Sequence, residues 1–151
     1  YRHILREKVV ERFDGRAVNL HVGYLPWNRG AHPNFWAAHD GTPAGVTIHY
    51  IDAGIDTGDI IVQQLFAYLP GDTFASSYAR LKNDIEWLFF RNWRDIRAGT
   101  CARVKQEGKG SYHRAVDLPM LSHGWETPVS SYVDDRHGET NMSASRMGKN
   151  G

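Results

Sequence analysis

Residues 45–66 read GVTIHYIDAGIDTGDIIVQQLF, two β-branched runs on either side of a loop that packs Asp52, Asp56 and Asp59 close together. Val46–Ile51 and Ile60–Phe66 have strand length and are bounded by Gly or Asp, which predicts two strands joined by a polar loop. Upstream, Ala17–His21 reads as a third strand, and its period-2 alternation points Asn19 and His21 the same way. A short helix is expected over 33–39, starting after Pro33. Downstream, residues 72–99 predict one long helix. Phe74, Tyr78, Leu81, Ile85, Leu88 and Ile96 recur there at three- and four-residue steps or their sums. Gly71-Asp72-Thr73 supplies its turn and N-cap, and Gly99 its stop. Trp87, Phe89, Phe90 and Trp93 widen the apolar stripe almost round the helix, which predicts burial on two sides, with a second subunit as one cover. Lys8–Arg12 adds a short helix closed by the Asp14-Gly15 turn. Strands alternating with helices define the α/β class.

The length of 151 residues suits one domain, and 41% hydrophobic against 23% charged residues allow a folded core. A net charge of +1 argues against a protein held to nucleic acid by phosphate neutralisation. No run approaches the length of a membrane span, and no signal-peptide pattern opens the chain. The lone Cys101 excludes an intramolecular disulfide framework and a multi-cysteine zinc site. A soluble domain of a reducing compartment, the cytoplasm, is expected. After Val133 the sequence is polar, and SSYVDDRHGETNMSASRMGKNG reads as a weakly held tail.

Eight histidines invite a metal hypothesis. Yet His21, His32, His39 and His49 lack the spacing of a zinc pair, so no metal is expected and they read as polar residues at loop edges and strand ends. Glycine-rich phosphate loops and a GxSxG elbow are absent. Asn19 and His21, an amide and an imidazole leaving one sheet edge together, make a hydrogen-bonding pair suited to an oxyanion. The three carboxylates of 52–59 either perturb one another's pKa values, as in working sites, or form a turn closed by Asx caps.

Taken in order, Asn19-Leu20-His21, Leu25-Pro26, Arg29-Gly30, GVTIHYID from Gly45 and IDTGDII from Ile55 resemble the 10-formyltetrahydrofolate-dependent formyltransferase superfamily. Its members include methionyl-tRNA, glycinamide ribonucleotide and sugar N-formyltransferases. The resemblance runs from about Tyr1 to the long helix. It implies that the chain carries the C-terminal half of a Rossmann-like formyltransferase fold. Residues 1–104 would form the partial catalytic domain and 105–151 a polar C-terminal extension. It also implies a catalytic set of Asn19, His21 and Asp56. The pterin of the 10-formyltetrahydrofolate co-substrate would be lined by His3, Ile4 and Leu5 and by the loop Asp52, Ala53, Gly54 and Ile55. His49 matches a position where purine-pathway members also carry His. In the implied chemistry an amine attacks the formyl carbon. Asn19 and a protonated His21 donate to the developing oxyanion, while Asp56 keeps the imidazolium charged and helps remove the amine proton.

The run YLPWNRGAHPNFW most resembles the sugar branch, so Tyr24, Trp27, Asn28 and Arg29 are expected to line the side of a nucleotide-linked amino sugar. Trp27 and Trp36 read equally as core or lid packing, and Arg29 as a turn residue capping a carbonyl. A tRNA substrate is disfavoured, since a C-terminal barrel does not fit the residues after Arg114. A formyltetrahydrofolate hydrolase and a non-catalytic remnant are the alternatives. Family members begin with a nucleotide-fold half that has no counterpart before Tyr1. The central parallel sheet would then show an open edge, from truncation or awaiting strands from elsewhere, and a homo-oligomer is the expected consequence.

Overall fold

The computed structural model describes residues 7–13 and 15–133. In chain order its elements are α1 (Glu7–Glu11), β1 (Val18–His21), β2 (Arg29–Gly30), α2 (Pro33–Asp40), β3 (Gly45–Tyr50), β4 (Ile60–Leu65), α3 (Phe74–Ala98), β5 (Tyr112–His113), β6 (Ser122–Trp125) and α4 (Ser130–Val133). The three strands and three helices read from the sequence recur with ends shifted by at most two residues. Asp14, half of the expected turn, lies outside the described residues, as do His3, Ile4 and Leu5.

The main sheet has the order β1-β3-β4, and both pairings are antiparallel. This corrects the expected parallel sheet for these strands, and the connection explains the β3–β4 pair. Nine residues, Ile51–Asp59, join β3 to β4, and a parallel crossover needs a dozen or more. The register sets Asn19 opposite His49 and His21 opposite Thr47. Four polar side chains therefore share one face, while Leu20 opposite Ile48 belongs to the other. β4 carries a bulge between the partners of Ile48 and His49, with Ile61 as the extra residue.

All six residues of β3 are buried, so both faces of this central strand are covered. On one face Val46 and Ile48 meet Leu81, Ile85 and Leu88 of α3, with Val18, Leu20 and Ile96 packed round them. Each such side chain contributes roughly 1.5–3 kcal/mol by leaving water. A second core joins Phe35, Trp36 and Ala38 of α2 to Phe74 and Val129. Thr47 organises the other face of β3. Its hydroxyl accepts from Leu25 N (3.1 Å), donates to Gly23 O (2.7 Å) and receives Gln63 Nε2 (3.0 Å). This polar hub fixes the turn that follows β1.

α3 is capped as its ends suggest. Thr73 and Ser76 exchange hydrogen bonds as a capping box, and Gly99 closes the helix in the left-handed conformation (φ 71°). Its buried stripe departs from expectation at one place. Tyr78 is exposed, and Ser77 is buried instead, because Asn34 of α2 donates to its Oγ (2.9 Å). Burial on two sides is not met within the described residues, where Trp87, Phe90 and Trp93 remain exposed. Among those residues no helix is long and apolar enough to cross a membrane.

Residues 105–133 are more than a polar extension. β5 pairs in parallel with β2, Val129 N donates to Asp72 O (2.9 Å), and Leu118, Leu121, Tyr132 and Val133 pack on the α2 core. The tail read from Ser130 begins with α4; residues 134–151 lie outside the described residues.

Candidate active site

The β1–β3 register and the Ile51–Asp59 loop bring four side chains together. Asp56 stands in the left-handed region (φ 53°), which turns its carboxylate back over the polar face of the sheet. Its Oδ1 accepts from Asn19 Nδ2 (3.1 Å) and lies 3.4 Å from His49 Nε2. Its Oδ2 accepts from Gly30 N (2.9 Å) and lies 3.5 Å from His21 Nδ1. His49 Nδ1 donates to the carbonyl of Tyr50 (2.8 Å), and Asn19 Nδ2 also faces His49 Nε2 (3.3 Å). Asn19, His21 and Asp56 are thus brought together as the sequence suggested, and His49 completes the cluster.

Asp52 and Asp59 turn elsewhere. Asp52 accepts from Gly54 N (3.0 Å) and Thr57 Oγ1 (2.6 Å), an Asx-type turn, and Asp59 pairs with Lys105 (3.0 Å). Mutual perturbation of three carboxylates is therefore not what tunes Asp56. Burial alone would raise its pKa, but the hydrogen bond with His49, the charge of His21 and the Gly30 N–H outweigh burial and hold it at about 2. The pKa of His21 is pulled both ways. Burial dominates and pushes its pKa below the ordinary value, against the pull of Asp56 and with a smaller opposing push from His49. Its Nε2 donates to Asn28 O (3.1 Å), so in the neutral ring the lone pair of Nδ1 faces Asp56.

Both shifts stabilise the fold in the same direction. A lowered histidine contributes stability that is complete above its unfolded pKa near 6.5 and is lost as pH falls below it. Asp56 adds stability that is complete above 3.8 and lost as pH falls toward about 2. Urea titrations between pH 8 and 3 are expected to show stability declining in two stages. His21→Gln is expected to shrink the stage beginning near 6.5, leaving the part due to His32, whose pKa burial also lowers, and the lower stage; an unchanged upper stage in that variant would refute the assignment.

The cluster forms the floor of a cavity of about 960 Å³. Asn19, His21 and Asp56 line it below, and His32, Tyr78, Tyr112, Arg114 and Trp125 line its walls. The rings of His32 and Trp125 lie 5.2 Å apart. His113, also at the wall, stacks on Trp36 at 4.0 Å. Of the loop 52–55 only Ile55 reaches the cavity; Asp52, Ala53 and Gly54 form its exposed outer edge.

Tyr24, Trp27 and Arg29 do not line this cavity. Between them Asn28 is itself buried in the left-handed conformation (φ 57°). Asn28 spends its side chain on Thr42 Oγ1 (2.7 Å) and Ser111 Oγ (3.1 Å), so it too is structural. Arg29 Nε donates to Gln106 Oε1 (3.2 Å). Residues 112–115 and Trp125, distant in sequence and without periodicity to mark them, line the cavity instead. Gln106 was also invisible in the sequence, since one amide in a polar stretch carries no signal.

An Asn–His–Asp cluster thus lies under a cavity, on an antiparallel sheet backed by a long helix. Residues 1–92 match the formyl transferase family model, and the chain belongs to that family. Among solved structures it is similar to the formyltransferase PseJ from Anoxybacillus kamchatkensis, crystallised with UDP-4,6-dideoxy-4-formamido-L-AltNAc and tetrahydrofolate. The identity is 49%, the TM-score is 0.82, and the match covers 87% of this chain and 72% of that one. It is also 36% identical over 106 residues to the dTDP-4-amino-4,6-dideoxyglucose formyltransferase of Mycobacterium bovis, covering 70% of this chain and 45% of the relative. To the methionyl-tRNA formyltransferase of Syntrophus aciditrophicus it is 40% identical over 123 residues, covering 78% of this chain and 38% of the relative. The chain thus spans less than half the length of these two curated relatives.

Proposed function

We propose that this chain supplies the catalytic centre of an enzyme that transfers the formyl group of 10-formyltetrahydrofolate to the primary amine of a nucleotide-linked amino sugar. The observation that carries the reading is Asp56, joined to both Asn19 and His21 on the floor of one cavity. The likeness to PseJ, crystallised with a formamido sugar nucleotide and tetrahydrofolate, supports the choice of reactants.

In this reading Asn19 gives up its longer contact, the 3.3 Å approach to His49, and turns that N–H to the negative charge developing on the formyl oxygen. Asp56 is ionised throughout the working range and accepts the proton of the attacking amine. The bare Nδ1 of His21, 3.5 Å from Oδ2, shares that proton until the departing folate nitrogen takes it back. Ile55 borders the folate side. His32 and Trp125, also in the lining, offer a planar base two rings to lie on, and Arg114 adds a cation for the diphosphate.

The test is turnover of 10-formyltetrahydrofolate with a UDP-linked 4-amino-4,6-dideoxy sugar. Tetrahydrofolate and formamido sugar are expected in equal amounts. Formate released at the same rate without the sugar would mean hydrolysis, and no turnover would mean a non-catalytic chain; either outcome overturns the reading. Trp125→Ala is expected to raise KM for the sugar nucleotide about 10-fold, the loss of one stacking contact of roughly 1.4 kcal/mol. The KM for the folate should stay within about twofold; a sugar-nucleotide KM equal to that of wild type removes Trp125 from the acceptor wall.

A further inference from the structure

Gln106 follows α3 by eight residues and lies 50 positions beyond Asp56, yet it touches the reacting loop twice. Its Nε2 donates to the carbonyl oxygens of Asp56 and Gly58, both at 2.8 Å. Its Oε1 accepts from Arg29 Nε at 3.2 Å. Both amide hydrogens and one oxygen lone pair are therefore committed.

These contacts close a ring. From the carbonyl of Asp56 the path runs through Gln106 to the Arg29 side chain. It then follows the backbone to Gly30, whose N–H returns to the Asp56 carboxylate at 2.9 Å. One residue thus ties both ends of Asp56, its main chain and, through the Arg29-Gly30 strand, its side chain.

The tie has work to do, because Asp56 sits at φ 53°, a conformation that costs a non-glycine residue free energy and must be held by its surroundings. A loop that relaxed toward ordinary φ would swing the carboxylate away from Asn19 and His21. Misplacement by about 1 Å costs on the order of 10²-fold in rate.

The segment bearing Gln106 does not depend on it for docking. Ile60 N donates to Val104 O (2.7 Å), Val104 N donates to Ile60 O (3.0 Å), and Lys105 pairs with Asp59 (3.0 Å). Removing the Gln106 amide therefore frees the loop while leaving the segment in place.

We propose that Gln106 is a positioning residue that holds Asp56 in its strained backbone conformation and couples it to the Arg29-Gly30 strand. The proposal rests on the reading of Asp56 as proton acceptor in formyl transfer. Gln106→Met keeps the length and loses the donors. It is expected to lower kcat by about 10- to 100-fold with both KM values within about threefold and the melting temperature within a few degrees. Gln106→Glu, which keeps the pairing with Arg29 but cannot donate to the carbonyls, is expected to behave alike and carries the test if the Met variant is unfolded.

A double-mutant cycle separates the role from general scaffolding. In an Asp56→Asn background, Gln106→Met should have little further effect on the residual rate, because it acts through a carboxylate already removed. A full additional loss in that background, or a kcat for both Gln106 variants within twofold of wild type, overturns the proposal. If Asp56→Asn alone keeps the wild-type rate, the reading of Asp56 fails instead, and the Gln106 proposal falls with it.

Discussion

Asp56→Asn is expected to lower kcat for formyl transfer by about 10³-fold, within the span that a positioned acid–base group contributes. Asn is the informative replacement because it tolerates the left-handed backbone at this position (φ 53°) better than Ala. Its carbonyl oxygen still accepts from Gly30 N, and the Asn19 amide can rotate to meet the new NH₂. What disappears is the negative charge that takes the amine's proton and faces two imidazole rings. The variant also loses a carboxylate held at about 2, against an ordinary 3.8, worth on the order of 2 kcal/mol at neutral pH. A melting temperature lower by about 4–8 °C is therefore expected. Assays below the new transition, with circular dichroism to confirm the fold, separate the two effects. A rate within tenfold of wild type would exclude Asp56 from the proton transfer.

Gly58→Ala is expected to cost at least about 3 kcal/mol of stability, enough to deplete folded protein at 37 °C. A Cβ at this position would overlap the carbonyl oxygen of Tyr50 and stand 2.8 Å from its carbonyl carbon. Neither neighbour can yield. Tyr50 ends a strand buried along its whole length, and its N–H is fastened to Asp59 O at 2.9 Å. Gly58 O is itself an acceptor for Gln106. The control is Gly71→Ala, where φ is 83° but open space surrounds the site. That change carries only the conformational penalty of roughly 1–2 kcal/mol. Urea unfolding of both variants decides the matter; equal midpoints would show that the approach to Tyr50 is relieved by a small loop shift.

Much of this arrangement was readable in the sequence because it is locally encoded. Asn19 and His21 share a face by strand periodicity alone, and Thr73 and Gly99 mark the ends of α3 by their own chemistry. Asp56 stood out through the loop motif, although the motif did not reveal why it differs from Asp52 and Asp59. That difference is tertiary: Asp52 satisfies itself within its turn and Asp59 meets Lys105, while Asp56 meets side chains from two strands. The walls of the cavity were hidden for a related reason. Tyr24, Trp27 and Arg29 follow β1 closely in sequence, yet they lie outside the cavity lining, and the buried Asn28 between them takes the left-handed conformation. Tyr112, Arg114 and Trp125 replace them through the β2–β5 pairing and the docking of the segment onto α2, contacts with no local signature. Polar composition alone made that segment look like an appendage. Trp87, Phe90 and Trp93 show the converse, since an apolar stripe in sequence does not say how much of it the chain itself will cover.

The bond from Gly30 N to Asp56 Oδ2 gives the protein a built-in reporter. An amide whose nitrogen lies 2.9 Å from an ionised carboxylate oxygen has its proton drawn downfield in a nitrogen–proton correlation spectrum, and the signal moves back when the carboxylate gains a proton or turns toward another cation. One backbone resonance therefore reads the charge on the Asp56 carboxylate directly, in the free protein and with any ligand bound in the cavity. It needs no probe inside the cavity and no chemistry to have taken place.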